Sequence, residues 1–173
     1  MSNIFVIRKK ISSFYNKTVS VSGDKSLSIR WVLLASLADG KSKSFNLLKS
    51  DDVKASIDAI KKLGINVKLK KNFCEINGKG LNGYKYRKNI VINAKNSGTL
   101  GRLILGLLAN CDEKIKIIGD KSLSKRDFYR ITRPLEKFGA KFKTNNGKLP
   151  IIIEGATNPK SINYNELKGS AQC

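Results

Sequence analysis

Three short segments of the chain combine small or hydroxyl residues with cationic or amide side chains, and each stands where a helical pattern begins. They are GDKSLSIR at residues 23–30, NSGTLGR at 96–102 and GSAQ at 169–172. A helix begins with N–H groups that have no partner within the helix, and it carries a partial positive charge at that end. Small residues there let an anion approach closely. The segments therefore predict a site for phosphate and carboxylate groups.

Positively charged side chains reinforce this prediction. The first segment contains a lysine and an arginine, and the second has an arginine one turn beyond its glycine. GDKSLSKR at 119–126 repeats the opening hexapeptide and again ends in arginine. Guanidinium and ammonium groups are common protein partners of phosphate and carboxylate. The cationic candidates are Lys25, Arg30, Arg102 and Arg126.

The serines of the three segments have a simpler interpretation as helix N-caps. An N-cap serine accepts a hydrogen bond from a backbone N–H in the first turn and contributes about 1 kcal/mol to stability. Ser26, Ser97 and Ser170 all fit that role. The sequence leaves both interpretations open, and the cap is the commoner role for any one serine.

Composition limits the class of protein. The 173 residues include 34 lysines and arginines against 13 acidic residues, so the formal charge is +21. Such a charge attracts nucleic acid, acidic lipid and phosphorylated metabolites alike. The sequence has no aromatic-rich RNA-binding strand, no zinc-finger spacing and no basic-region helix, so nucleic acid is not expected as the ligand. Because there is no histidine, a general base must be a carboxylate, lysine or tyrosine.

Cysteine usage and hydropathy point to the cytoplasm. The three cysteines are far apart and have no CxxC spacing, so we expect reduced thiols and neither a metal site nor a disulfide framework. The opening MSNIFVIRKK has no apolar run of signal-peptide length, and the apolar stretches at 31–38 and 103–109 are too short to cross a bilayer. We therefore expect a cytoplasmic protein with no membrane partner.

The elements that must position the candidate residues repeat after a little over seventy residues. The first unit is predicted as a helix at 26–38, a strand at 43–47, a helix at 51–63 and strands at 65–70 and 73–76, before a glycine-rich break at Gly78, Gly80 and Gly83. The second is predicted as a strand at 89–92, a helix at 97–110, a strand at 114–118, a helix at about 127–138 and strands at 140–144 and 150–154. Arg30 and Arg102 fall at matching positions.

This pattern predicts an α/β fold of repeated βαβαββ units. We place the first unit at residues 21–88 and the second at 89–158. Residues 1–20 are predicted as a separate N-terminal strand segment, and 159–173 as the start of a third unit. A third unit that stops after its first turn lacks its partner elements, so we expect the chain to be incomplete.

Seven motifs follow one another along almost the whole chain. They are GDKSLSIRWVLLASLADG, LLKSDDVKASIDAIKKLG, NSGTLGRLILGLLA, GDKSLSKR, RPLEKFGA, LPIIIEG and SAQ. Taken in this order, they resemble the motifs of the EPSP synthase family. The resemblance implies an inside-out α/β barrel of βαβαββ units, of which this chain holds an incomplete first domain. It also implies that residues 1–20 pack with a second domain.

The resemblance further implies an activity, which is transfer of the enolpyruvyl group of phosphoenolpyruvate to the 5-hydroxyl of shikimate 3-phosphate, on the route to chorismate and the aromatic amino acids. No metal or organic cofactor is implied, and the full-length protein is expected to be a monomer. The acid and base residues of the family fall beyond Cys173, so the catalytic residues are unknown here and we expect no turnover from this chain alone.

Roles carry over to individual residues only through this resemblance. Shikimate 3-phosphate would be bound by Lys25, Ser26, Arg30, Ser170 and Gln172. Phosphoenolpyruvate would be bound by Lys25, Gly98, Arg126 and Gln172, with support from Asn96, Thr99 and Arg102. The sequence departs from the family at Asp127, where a proline is usual, and this places a negative charge beside Arg126.

Two rival functions stay open at this stage. The related UDP-N-acetylglucosamine enolpyruvyl transferases share the architecture, but their first motif has Lys-Asn where this chain has Lys25-Ser26, and their cysteine-bearing loop is not recognisable. A non-catalytic module that binds anions or nucleic acid would also explain the charge. Ligand choice separates this second rival from the enzyme.

Overall fold

The structure is a computed structural model that describes Val6 and residues 19–166. Its helices are α1 (Lys25–Leu37), α2 (Asp51–Lys62), α3 (Gly98–Leu107) and α4 (Tyr129–Phe138), with one 3-10 turn at Leu123–Lys125. Its strands are β1 (Asp39–Phe45), β2 (Asn66–Leu69), β3 (Phe73–Lys79), β4 (Val91–Asn93), β5 (Ile115–Ile118), β6 (Lys141–Asn145) and β7 (Lys148–Glu154).

The first sheet has three antiparallel strands in the order β1-β3-β2. Cys74, Ile76 and Gly78 of the central strand β3 are buried. A Cβ at Gly78 would collide with the backbone carbonyls of Ala35 and Ala38. Glycine is therefore required here so that α1 can lie close against the sheet. The predicted break at Gly78 was wrong for this reason, and β3 continues to Lys79.

The second sheet has four strands in the order β4-β5-β7-β6. β4 and β5 are parallel and joined through α3, whereas β7 is antiparallel to both of its neighbours. Its order β5-β7-β6 corresponds to β1-β3-β2 of the first sheet. Residues 19–24 form no strand, so the first sheet lacks a counterpart of β4 within the described part of the chain.

One hydrophobic core joins both sheets and all four helices. α1 contributes Ile29 and Leu33, and α3 contributes Leu100 and Ile104, all essentially inaccessible to solvent. Burying side chains of this size stabilises each by roughly 1.5–3 kcal/mol relative to exposure. The core therefore fixes α1 relative to α3, which sets the distance between the two predicted anion-binding segments.

The last helix begins at Tyr129, later than predicted, and its N-cap residue is Phe128, whose side chain makes no cap hydrogen bond. Asp127 precedes the cap, and its Oδ1 accepts a hydrogen bond of 2.8 Å from the backbone N–H of Tyr129, the first residue of α4. The helix ends at Gly139 with φ of 116°, as the glycine predicted. Within Val6 and residues 19–166, no helix is long and apolar enough to cross a membrane.

Candidate anion-binding site

A cavity of about 400 Å³ lies where the first turns of α1 and α2 meet the start of α3. It brings together residues from the first two predicted segments and the arginine that ends GDKSLSKR. The lining residues are Lys25, Ser26, Asp52, Asn96, Gly98, Thr99 and Arg126. Six of these seven were singled out from the sequence. Their shared position means that the two repeats contribute to one site.

At the start of α1 the cap is Asp24. Its Oδ1 accepts a 2.7 Å hydrogen bond from the backbone N–H of Leu27. Ser28 Oγ donates to the Asp24 carbonyl at 2.6 Å and accepts from the backbone N–H of Leu48 at 3.0 Å. The N-cap interpretation was therefore wrong for Ser26, which stands in the first turn of the helix and lines the cavity.

At the start of α3 the N-cap interpretation is confirmed for Ser97. Its Oγ accepts a 3.2 Å hydrogen bond from the backbone N–H of Leu100, and the residue is buried. Gly98 follows as the first residue of the helix. A Cβ on Gly98 would lie 2.9 Å from Nη1 of Arg126 and 3.5 Å from Nη1 of Arg102. The absence of a side chain thus makes room for two guanidinium groups.

Arg126 follows the 3-10 turn in an extended conformation. Its Nη2 donates to Oδ1 of Asn96 at 3.3 Å, which links the GDKSLSKR segment to the loop before α3. The neighbouring carboxylate of Asp127 is directed to the N-terminus of α4, where it accepts from Tyr129. Asp127, which stands where the family resemblance implies a proline, thus binds the first N–H group of α4, and Arg126 lines the cavity.

Arg30 and Arg102 do not appear in the lining of the cavity. Arg30 Nη1 donates to the Ser26 carbonyl at 3.3 Å, one turn back along α1. Arg102 Nη2 donates to the Asp127 carbonyl at 3.2 Å, and its guanidinium lies 5.5 Å from the centre of the Phe128 ring. Arg102 lines a separate apolar groove of about 550 Å³ between α3 and α4. In this structure both arginines contact the backbone beside the site.

Asp52 is a lining residue that sequence reasoning missed. Its Oδ2 lies 3.2 Å from Nζ of Lys25, so the ion pair joins the first turn of α2 to the first turn of α1. Two consecutive acidic residues at the start of α2 carry the ordinary signal of a helix N-terminus. Only the packing of α2 against α1 brings one of them to the cavity.

The remaining candidates, Ser170 and Gln172, lie outside the described residues. Among those described, the cavity combines the charges of Lys25 and Arg126 and the N-terminus of α3, against one carboxylate, that of Asp52. Positive groups held at fixed positions on two helices and a turn suit one or two anionic groups of a small ligand. The geometry supports binding and orientation of such a ligand.

Comparison with known proteins agrees with this fold. The family model for EPSP synthase (3-phosphoshikimate 1-carboxyvinyltransferase) matches residues 9–173. A 3-phosphoshikimate 1-carboxyvinyltransferase of Endomicrobium trichonymphae is 39% identical over 96% of this chain and 39% of its own length. One from Streptococcus mutans is 38% identical over 90% of this chain and 36% of its own length.

Solved structures show the same relationship. An EPSP synthase from Acinetobacter baumannii superposes with a TM-score of 0.83 at 33% identity, and the match covers 89% of this chain and 35% of that one. The predicted α/β fold of the enolpyruvyl transferase type is thereby confirmed. This chain spans well under half the length of these relatives. On the extent of the family match and on these identities, the chain belongs to the EPSP synthase family.

Proposed function

We propose that this chain contributes the first-domain substrate contacts of an enzyme that transfers the enolpyruvyl group of phosphoenolpyruvate to the 5-hydroxyl of shikimate 3-phosphate. The observation that carries the proposal is the cavity between the two repeats, which holds Lys25, Gly98 and Arg126 together. Relatives named 3-phosphoshikimate 1-carboxyvinyltransferase, matched over nearly the whole of this chain, support it.

Both substrates carry several negative charges, so the first task of the site is to hold two anions that repel each other. Lys25 and Arg126, with the N-terminus of α3 at Gly98, suit the phosphate and carboxylate of phosphoenolpyruvate. Ser26 and the N-terminus of α1 suit shikimate 3-phosphate beside it. Fixing both ligands in one orientation lowers the entropic barrier to the attack of the hydroxyl.

Other parts of the assignment rest on the family alone. Arg30, Ser170 and Gln172 are proposed to complete the shikimate 3-phosphate contacts, with Asn96, Thr99 and Arg102 as supporting residues. We likewise propose repeat units at 21–88 and 89–158, with separate segments at 1–20 and 159–173. A cytoplasmic location and a monomeric full-length protein are also proposals. We propose small anionic metabolites, rather than nucleic acid, as the partners.

Titration of the ¹⁵N-labelled chain, followed by NMR, tests this proposal. Shikimate 3-phosphate and phosphoenolpyruvate should shift the amide signals of Ser26, Gly98 and Thr99 first, whereas a DNA duplex should not select them. Arg126→Gln should weaken phosphoenolpyruvate binding by about tenfold, the typical value of one charged hydrogen bond. Lys125→Gln removes the same charge from the adjacent exposed position and is the matched control.

Two results would contradict the proposal. One is salt-sensitive DNA binding with no response to shikimate 3-phosphate, which would favour the non-catalytic module. The other is preferential binding of UDP-N-acetylglucosamine over shikimate 3-phosphate, which would favour the related transferase.

A further inference from the structure

We infer that Asp52 is a positioning residue that holds the ammonium group of Lys25 at the cavity before an anion binds. The inference rests on the proposed function, because it assumes that the ligand of this cavity is an anion bound by Lys25. The Asp52 carboxylate is the one negative charge among the described residues that line a cavity whose other groups attract anions.

In the ion pair between Asp52 and Lys25, the aspartate side chain is the more restrained partner. Asp52 stands on the first turn of α2, and its backbone carbonyl accepts a 2.9 Å hydrogen bond from Oγ of the buried Ser56. Its side chain is only 20% exposed, whereas that of Lys25 is 54% exposed. The carboxylate is thus anchored by the packing of α2, and the 3.2 Å ion pair restrains the longer lysine.

A lysine side chain has four rotatable carbon bonds and loses much of that freedom when it binds a ligand. A lysine already held beside the cavity loses less, so the ligand binds more tightly. A half-exposed ion pair contributes little to folding stability. Its main effect here is therefore on where the ammonium group lies.

A competing effect has the opposite sign, which makes the inference testable. A carboxylate close to a bound anion repels it, so removing Asp52 for electrostatic reasons alone would tighten binding. If positioning dominates, removing Asp52 weakens binding. Because the two effects predict opposite directions, the sign of the change decides between them.

The control for this test stands next to Asp52. Asp51 lies on the same turn of α2, its side chain is 92% exposed, and it pairs with Lys54 at 3.2 Å. Asp51→Ala removes an equal charge from the same helix N-terminus but leaves the Lys25 contact intact. Asp52→Asn keeps an oxygen that can accept a hydrogen bond from Lys25 and should fall between Asp52→Ala and the wild type.

The binding experiment is an NMR titration of these variants of the 173-residue chain with phosphoenolpyruvate. We expect Asp52→Ala to raise the dissociation constant about fivefold, which is about 1 kcal/mol at 1.4 kcal/mol per tenfold. Asp51→Ala should leave it unchanged or lower it slightly. In a Lys25→Ala background, Asp52→Ala should no longer weaken binding, because only the repulsion is then removed. If Asp52 had a purely structural role, Asp52→Ala would weaken binding both with Lys25 present and in the Lys25→Ala background.

A measurement without ligand keeps the inference separate from the proposed function. ¹³C relaxation of the Lys25 Cε should show a restrained side chain in the wild type and in Asp51→Ala, and a mobile one in Asp52→Ala. If Lys25 is equally mobile in all three proteins, or if Asp52→Ala binds phosphoenolpyruvate as tightly as the wild type, the inference is wrong. If relaxation changes as expected but the wild type binds neither substrate, Asp52 still positions Lys25 and the proposed function fails instead.

Discussion

Replacing Gly98 by alanine should leave folding stability unchanged or higher but weaken ligand binding. The new Cβ would lie 2.9 Å from Nη1 of Arg126, closer than carbon and nitrogen atoms normally approach. The atom it meets is the far end of a flexible side chain, so the chain can relax by moving the guanidinium, at little cost to folding. Alanine is favoured over glycine in a helix by up to about 1 kcal/mol. Folding stability should therefore stay the same or rise.

Binding should change in the other direction. Displacement of Arg126 breaks its 3.3 Å hydrogen bond to Asn96 and moves its charge away from the cavity. The hydrogen bond that Arg126 would donate to bound phosphoenolpyruvate is worth about 1.5–3 kcal/mol, so its loss should lower the affinity tenfold or more. The assay pairs an NMR titration with urea unfolding of the same sample.

Gly106→Ala is the matched control for this prediction. Gly106 lies near the end of the same helix, and a Cβ there would have no neighbour within 4 Å. This variant should gain a similar helix stability and keep the affinity of the wild type. Unchanged affinity in Gly98→Ala, or an equal loss in Gly106→Ala, would refute the contact between Gly98 and Arg126 as the reason for glycine.

Three further predictions concern stability and can be measured by urea unfolding. Asp24→Ala should lower the free energy of unfolding by about 1 kcal/mol through loss of the α1 cap, whereas Ser26→Ala should leave it almost unchanged. Equal decreases in the two variants would contradict the assignment of the cap. Gly23→Ala should cost about 2 kcal/mol or more, because its Cβ would collide with the backbone of the loop after β1, and a neutral effect would refute that contact. Burial raises the pKa of the Cys111 thiol and of the Tyr86 phenol above their ordinary values of 9.0 and 10.0. Their contribution to the free energy of unfolding is therefore fully present below about pH 9 and is lost as the pH rises further. A free energy of unfolding that stays constant from about pH 8 to 11 would contradict this.

Local signals were sufficient to predict the helices. α2 begins at Asp51 after the N-cap Ser50 and ends just before Gly64, close to the predicted range of 51–63. These boundaries depend on caps and glycine positions within a few residues of each other, and the apolar spacing fixes the face that is buried. No information from distant parts of the chain was needed.

Strand lengths depended on contacts that the sequence does not display. β1 begins at Asp39, four residues before the predicted start, because its full length pairs with β3 up to Lys79. Gly78 lies inside that pairing, since the close approach of α1 requires glycine there. The same residue type marks a turn in one place and a helix contact in another, and only the tertiary structure distinguishes them.

The residues of the candidate site also differ in whether the sequence alone identifies them. Lys25, Gly98 and Arg126 could be identified because each stands in a segment with a recognisable pattern. Asp52 could not, since its segment reads as an ordinary helix start until α2 packs on α1. Arg30 was predicted as a ligand residue from its charge; its guanidinium donates to the Ser26 carbonyl, and its role as a ligand residue stays a prediction.

The position of the cavity between the two repeats also has a consequence for how the chain unfolds. Because Lys25 belongs to one repeat and Gly98 to the other, an anion held by both can bind only while the repeats are docked. Such a ligand stabilises the docked state by an amount that grows with its concentration. The anion would then act as a non-covalent crosslink in addition to the hydrophobic core that the two repeats share, and saturating ligand should raise the temperature at which they unfold together.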